Sequence, residues 1–122
     1  MGTYYRIDNH AKQECIDLCY ISSIKRGAFQ SWSLQHAVLN VFLGFDSPDF
    51  NCGKEWVGRW ELNPIRIHSD YEDDSACDSW PDAGMQFIEY LYDKGVLQDF
   101  LRAFDFIDRY ERVVAGILTS RR

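Results

Sequence analysis

His68, Asp70 and Glu72 occupy alternate positions of one short stretch. In an extended segment such side chains fall on a single face. An imidazole with two carboxylates is a ligand set for a divalent cation, and Asp73 and Asp74 follow with more oxygens. The enzymatic reading of the chain is therefore a small metal-dependent hydrolase centred on His68, Asp70 and Glu72. All three ligands come from one short segment, however, and a solvated edge with an exposed histidine is the plain alternative.

The same region carries the charge. Residues 46–82 hold ten acids against three bases, whereas the flanking segments are close to neutral and the whole chain is at −6. A concentrated anionic surface repels nucleic acid and attracts basic partners. Tyr71, Trp80 and Trp56 supply the apolar anchors that acids alone lack. The docking surface expected is Asp70, Tyr71, Glu72, Asp73, Asp74, Asp78, Trp80 and Trp56. The leading functional expectation is thus an acidic protein-interaction module that binds and neutralises a basic partner such as a toxin, nuclease or defence complex, with neither metal nor cofactor. A solubilising loop without a partner is the bland reading of the same acids. A third class, a small-ligand pocket lined by Trp32, Trp56 and Trp60, suits a chain with 16% aromatic residues.

Other constellations are weaker. Cys15 and Cys19 are four apart, and with Cys52 and Cys77 they match no standard zinc pattern, so they read as small buried hydrophobes in a reducing compartment. His10 falls in a turn and His36 in a helix, with no cysteine locally placed to pair with either. There is no Gly-rich phosphate loop, G-x-S-x-G or H-E-x-x-H. Lys25-Arg26 and Arg121-Arg122 are isolated basic pairs, which disfavours direct nucleic-acid binding. No stretch approaches the roughly 18 apolar residues of a membrane span. Residues 1–13 are polar and lack the apolar core of a signal peptide, so a cytoplasmic location is expected.

The elements that must position these residues follow from periodicity. Residues 3–8 read as a strand, 9–12 as a polar turn and 13–20 as a returning strand, together a hairpin. Ser31 or Ser33 caps a helix to about residue 45, with Leu34, Ala37, Val38, Val41, Phe42 and Phe45 on its apolar face. Residues 55–62 read as a strand with Trp56, Gly58, Trp60 and Leu62 on one side. Residues 65–70 form the next strand, with Ile65 and Ile67 facing one way and Arg66, His68 and Asp70 the other; 71–82 is an acidic loop. Asp82 caps a helix over 83–94, closed by Gly95. Residues 97–118 form the longest helical pattern, with Leu97, Phe100, Leu101, Phe104, Ile107, Val114, Ile117 and Leu118 in one stripe that packs inside or forms a homodimer seam. The expectation is an α+β fold: one domain spanning 1–122, with a mostly antiparallel sheet of about four strands covered by about three helices.

The opening Gly2-Thr3-Tyr4-Tyr5-Arg6-Ile7-Asp8-Asn9-His10-Ala11-Lys12-Gln13-Glu14, followed by Ile16-Asp17, resembles the start of a group of short uncharacterised bacterial proteins with a Gly-x-Tyr-Tyr…Asn-His-x-Lys N-terminus. Trp56-Val57-Gly58-Arg59-Trp60 and Ile65-Arg66-Ile67-His68-Ser69-Asp70-Tyr71-Glu72 are similar to that group's Trp/Gly segment and Asp-Tyr strand. The resemblance covers about half of the chain and implies no activity or site residue. In size and charge alone the chain is also similar to toxin-immunity proteins and to phage anti-defence inhibitors.

Overall fold

The computed structural model describes residues 4–18, 21, 24–25, 33–46, 53–69 and 79–122. The Tyr-rich opening forms β1 (Tyr4–Asn9), the centre of an antiparallel sheet. A turn at 10–13 returns the chain into β2 (Glu14–Ile16). Asn9 shapes that turn: its side-chain oxygen accepts from the Lys12 N–H at 3.0 Å, and Gln13 closes it with a left-handed φ of 55°. β3 (Ile24–Lys25) pairs with Tyr4 and Tyr5. β4 (Ile65–Ser69) lines the opposite edge of β1, in the register Arg6↔His68, Ile7↔Ile67 and Asp8↔Arg66. Among the described residues the sheet is antiparallel and has about four strands as expected, but its fourth member is β3 rather than residues 55–62.

Strand alternation gives this sheet two unlike faces. Ile7 and Ile16 are paired on one face and fully buried. The helices pack on that side. α1 (Leu34–Phe42) starts at Ser33, whose Oγ accepts from the His36 N–H, and buries Leu34, Ala37, Val38, Val41 and Phe42. α2 (Ala83–Lys94) starts at Asp82 and ends at Gly95, whose φ of 76° is left-handed. Gly84 lets α2 press onto the sheet, since a Cβ there would sit 2.9 Å from Ile16 Cγ2. Phe42 and Phe87 join the two helices edge to face, with ring centroids 5.7 Å apart.

Two expected elements differ. Residues 55–62 are not a strand but a run of turns: the Trp56 N–H donates to Gly53 O, the Arg59 N–H to Trp56 O and the Glu61 N–H to Gly58 O. Gly58 at φ 78° and Leu62 at φ 66° cannot extend, so the alternation of Trp56, Gly58 and Trp60 follows turns rather than a pleat. The segment also caps α1, because the Gly58 and Trp60 N–H groups donate to Val41 O and Phe42 O, each at 2.9 Å.

The stripe over 97–118 is likewise interrupted. α3 (Leu97–Ala103) stops in a Schellman motif: the Phe106 N–H reaches Leu101 O, the Asp105 N–H reaches Arg102 O, and Asp105 takes φ 63°. A 3₁₀ turn (Ile107–Arg109) leads into α4 (Tyr110–Ser120). The break re-phases the second half, so that Phe106 and Val113 are buried while Ile107 and Leu118 are exposed. No helix among the described residues is long and apolar enough to cross a membrane.

Candidate functional site

The face of the sheet opposite the helices is polar. β1 presents Arg6 and Asp8 on it, and one alternation further the turn begins with His10. Across the sheet, β4 adds Arg66 opposite Asp8 and His68 opposite Arg6, while β2 adds Cys15 opposite Asp8. Asp8 is fully buried and His68 is 2% exposed, so the expectation of a solvated edge histidine is overturned. β4 instead turns Ile65 and Ile67 partly to solvent.

Asp8 is the hub. His68 Nδ1 lies 3.3 Å from its Oδ2. Arg6 Nε lies 3.1 Å from Oδ1 and donates a hydrogen bond to Oδ2 at 3.3 Å. Oδ1 itself receives no aligned hydrogen bond among the described residues. The His10 ring stands 5.5 Å from that of His68 and packs edge-on against Trp80 at 4.9 Å. Ligand atoms of Asp8, His10 and His68 all lie within 4.8 Å of one another, with Asp8 and His68 buried and His10 exposed. Two imidazoles and one carboxylate are a common donor set for zinc and other first-row divalent metals.

The β2 side of this face carries two half-buried carboxylates, Asp17 and Asp82. Asp82 accepts from the Asp17 and Leu18 N–H groups at 3.2 and 2.8 Å, and from the Met85 N–H at 3.1 Å as cap of α2. The Cys15 N–H donates to Pro81 O, which ties residues 81–82 beside β2. Burial, and then the charge of Asp82, pushes the Asp17 carboxyl up to about 6. Burial, followed by the charges of Asp82, Asp17 and Asp8, pushes the Cys15 thiol up, which leaves it an inert apolar filler as expected from the sequence.

A carboxyl raised on folding adds stability below its ordinary value of 3.8, and that contribution is lost as pH rises through about 6. Asp17→Asn is therefore expected to raise stability at pH 7 by about 2 kcal/mol and to flatten the decline across this window. Urea unfolding of both proteins at pH 4 and pH 7 measures it. An unchanged midpoint at pH 7 contradicts the expectation.

The sequence-derived site residues fare unequally. His68 is in the cluster. Asp70, Tyr71, Glu72, Asp73, Asp74 and Asp78 lie outside the described residues, as do Trp32, Cys19, Cys52 and Cys77. Trp80 is half-buried beside His10. Trp56 is no surface anchor: it is 8% exposed, stacked on Phe42 at 6.0 Å, tilted against Phe87 and covered by the Arg59 guanidinium at 5.1 Å. The alternation of Trp56, Gly58 and Trp60 predicts one side of a strand, but the turns send both indoles into the core, so they fill space rather than line a pocket. Asp8 and His10 were missed. Their signal was the continuation of the β1 alternation Arg6, Asp8, His10 by one step into the turn.

No family model matches this chain, and no match was found among curated proteins or solved structures. The site therefore rests on its own geometry.

Proposed function

We propose that this protein holds a first-row divalent metal ion between Asp8, His10 and His68 and uses it in a hydrolytic reaction. The observation supporting this reading is the convergence of the three ligand atoms within 4.8 Å, two of them on buried side chains. Tetrahedral ligation at about 2.1 Å needs these atoms about 3.4 Å apart, a closure that the exposed His10 side chain can make by rotation. Three protein ligands leave a position open for water, and a metal ion there supplies the hydroxide nucleophile at neutral pH. His68 is common to this set and to the one read from sequence; Asp8 and His10 take the places assigned to Asp70 and Glu72. Docking of a basic partner through the 70–78 acids rests on composition alone.

Calorimetry with Zn²⁺, Mn²⁺ and Mg²⁺ tests the reading. One equivalent of Zn²⁺ is expected to bind, and Mg²⁺, which prefers oxygen ligands, is not. Asp8→Asn and His10→Ala should each weaken Zn²⁺ on the order of a hundredfold, because even outer-shell changes cost 10- to 100-fold. The double variant Asp70→Asn, Glu72→Gln should keep the affinity. Absence of stoichiometric heat in the wild type, together with no thermal shift, rules the reading out.

A further inference from the structure

The three ligands of this site are not equally fixed. Asp8 and His68 are buried within the sheet, whereas His10 is exposed and stands in the turn after β1. An exposed imidazole turns about two side-chain bonds and loses that freedom when it binds an ion. The buried pair has little such freedom to lose. The affinity of the site therefore depends on what restrains His10.

Trp80 is in place to do so. Its ring packs against that of His10 with centroids 4.9 Å apart and planes at 84°, the edge-to-face arrangement that aromatic rings favour. On the ligand side, the His68 ring lies 5.5 Å from His10 and is tilted by 40°. Trp80 is half-buried, and the two residues after it are fastened to the sheet and to α2. Pro81 O accepts from the Cys15 N–H at 3.0 Å, and the Asp82 carboxylate accepts from the Asp17, Leu18 and Met85 N–H groups. Cys15 is the register partner of Asp8. The backbone that carries Trp80 is thus bonded to the strand beside the ligating carboxylate.

We infer that Trp80 is a positioning residue of this site, its indole holding the His10 imidazole beside Asp8 and His68, close to the pose in which the three ligate. This rests on the metal reading above. The indole supplies no ligand atom, since its nitrogen is a donor only. It acts through His10, by narrowing the rotations of a ring that need only close a spread of 4.8 Å.

The test is calorimetric titration of Zn²⁺ into the full chain as wild type, Trp80→Leu, Trp80→Phe, His10→Ala and the double variant Trp80→Leu, His10→Ala. Trp80→Leu keeps apolar bulk without a ring and should weaken Zn²⁺ between about two- and tenfold, the worth of an aromatic pair. Trp80→Phe keeps a ring and should stay within about twofold of wild type. In the His10→Ala background, Trp80→Leu should have no further effect, because the imidazole it positions has gone. Cooperative unfolding in EDTA certifies that each variant is folded. A second measurement needs no variant: NMR should show the His10 and Trp80 ring protons in contact both before and after Zn²⁺ is added. Loss of that contact on loading overturns the inference. So does unchanged or tighter Zn²⁺ binding in Trp80→Leu, an equal loss in Trp80→Phe, or the same loss with and without His10. Each of these leaves the metal centre standing, whereas a wild type that binds no Zn²⁺ removes the metal centre and this inference together.

Discussion

With free Zn²⁺ at about a thousand times its dissociation constant, unfolding should cost about 4 kcal/mol more than in a chelator. The size follows from linkage: an ion that binds the folded chain alone adds RT ln(1 + [L]/Kd). The site exists only in the folded state, because Asp8 and His10 come from the first hairpin and His68 from β4, and only the β1–β4 register brings them together. For a chain of 122 residues this amounts to a rise in melting temperature of roughly 15 °C. Ligating imidazoles must be neutral, so the rise should shrink in acid. His10→Ala is the informative variant. His10 is exposed, so its loss should alter metal-free stability by no more than about 0.5 kcal/mol while abolishing most of the zinc-dependent rise. Thermal melts of both proteins in Zn²⁺ and in EDTA measure this directly, and an equal rise in both would exclude His10 as a ligand.

Glu14→Ala is expected to cost about 3 kcal/mol without any metal present. Glu14 is almost fully buried on the helix-facing side of the sheet, at the end of the hairpin. Arg59 binds it with both arms of its fork, Nε to Oε1 at 2.8 Å and Nη2 to Oε2 at 2.9 Å, and the Trp60 indole N–H donates to Oε1 as well. Removing the carboxylate leaves a half-buried guanidinium and a buried indole N–H without their acceptor, in a segment with little regular structure of its own. This one side chain therefore anchors the 54–62 turns to β2. Burial raises the Glu14 pKa, but the hydrogen bonds from Arg59 and Trp60 and the charge of Arg59 outweigh it, so the carboxyl titrates below its ordinary 4.5. A depressed carboxyl contributes stability above its ordinary value and loses it as pH falls through the lowered one. Glu14→Gln should accordingly be destabilised at pH 7, with the gap from wild type narrowing below pH 4. Urea midpoints at pH 7 and pH 3 check both statements; a loss under about 0.5 kcal/mol at pH 7 would mean that the turns hold without it.

The helices show where local signals suffice. α2 spans 83–94 as periodicity predicts, because Asp82 caps its start, Gly95 ends it in a left-handed conformation, and Phe87, Ile88 and Leu91 recur on one face. α1 begins at Ser33, one of the two caps named from sequence. Where a local pattern had two physical readings, the sequence was ambiguous. Trp56, Gly58 and Trp60 alternate as in a strand, yet Gly58 lies at positive φ, the backbone N–H groups of Gly58 and Trp60 cap α1 and both indoles turn inward into the core. No glycine stands at the interruption of the 97–118 stripe; the left-handed residue there is Asp105, one of the few non-glycine types that tolerate the conformation.

Composition and periodicity by themselves determined the α+β class, the antiparallel hairpin, two capped helices and a strand carrying His68. These properties are local: each depends on propensity, a cap or a repeat within a dozen residues. The tertiary structure alone decided that His68 is buried, that it faces Asp8 and His10 rather than only its own sequence neighbours, and that Trp56 belongs to the core. The first two depend on strand register, and a shift of β4 by one residue would send His68 to the face opposite Asp8; the third depends on how the turns of 54–62 fold onto α1.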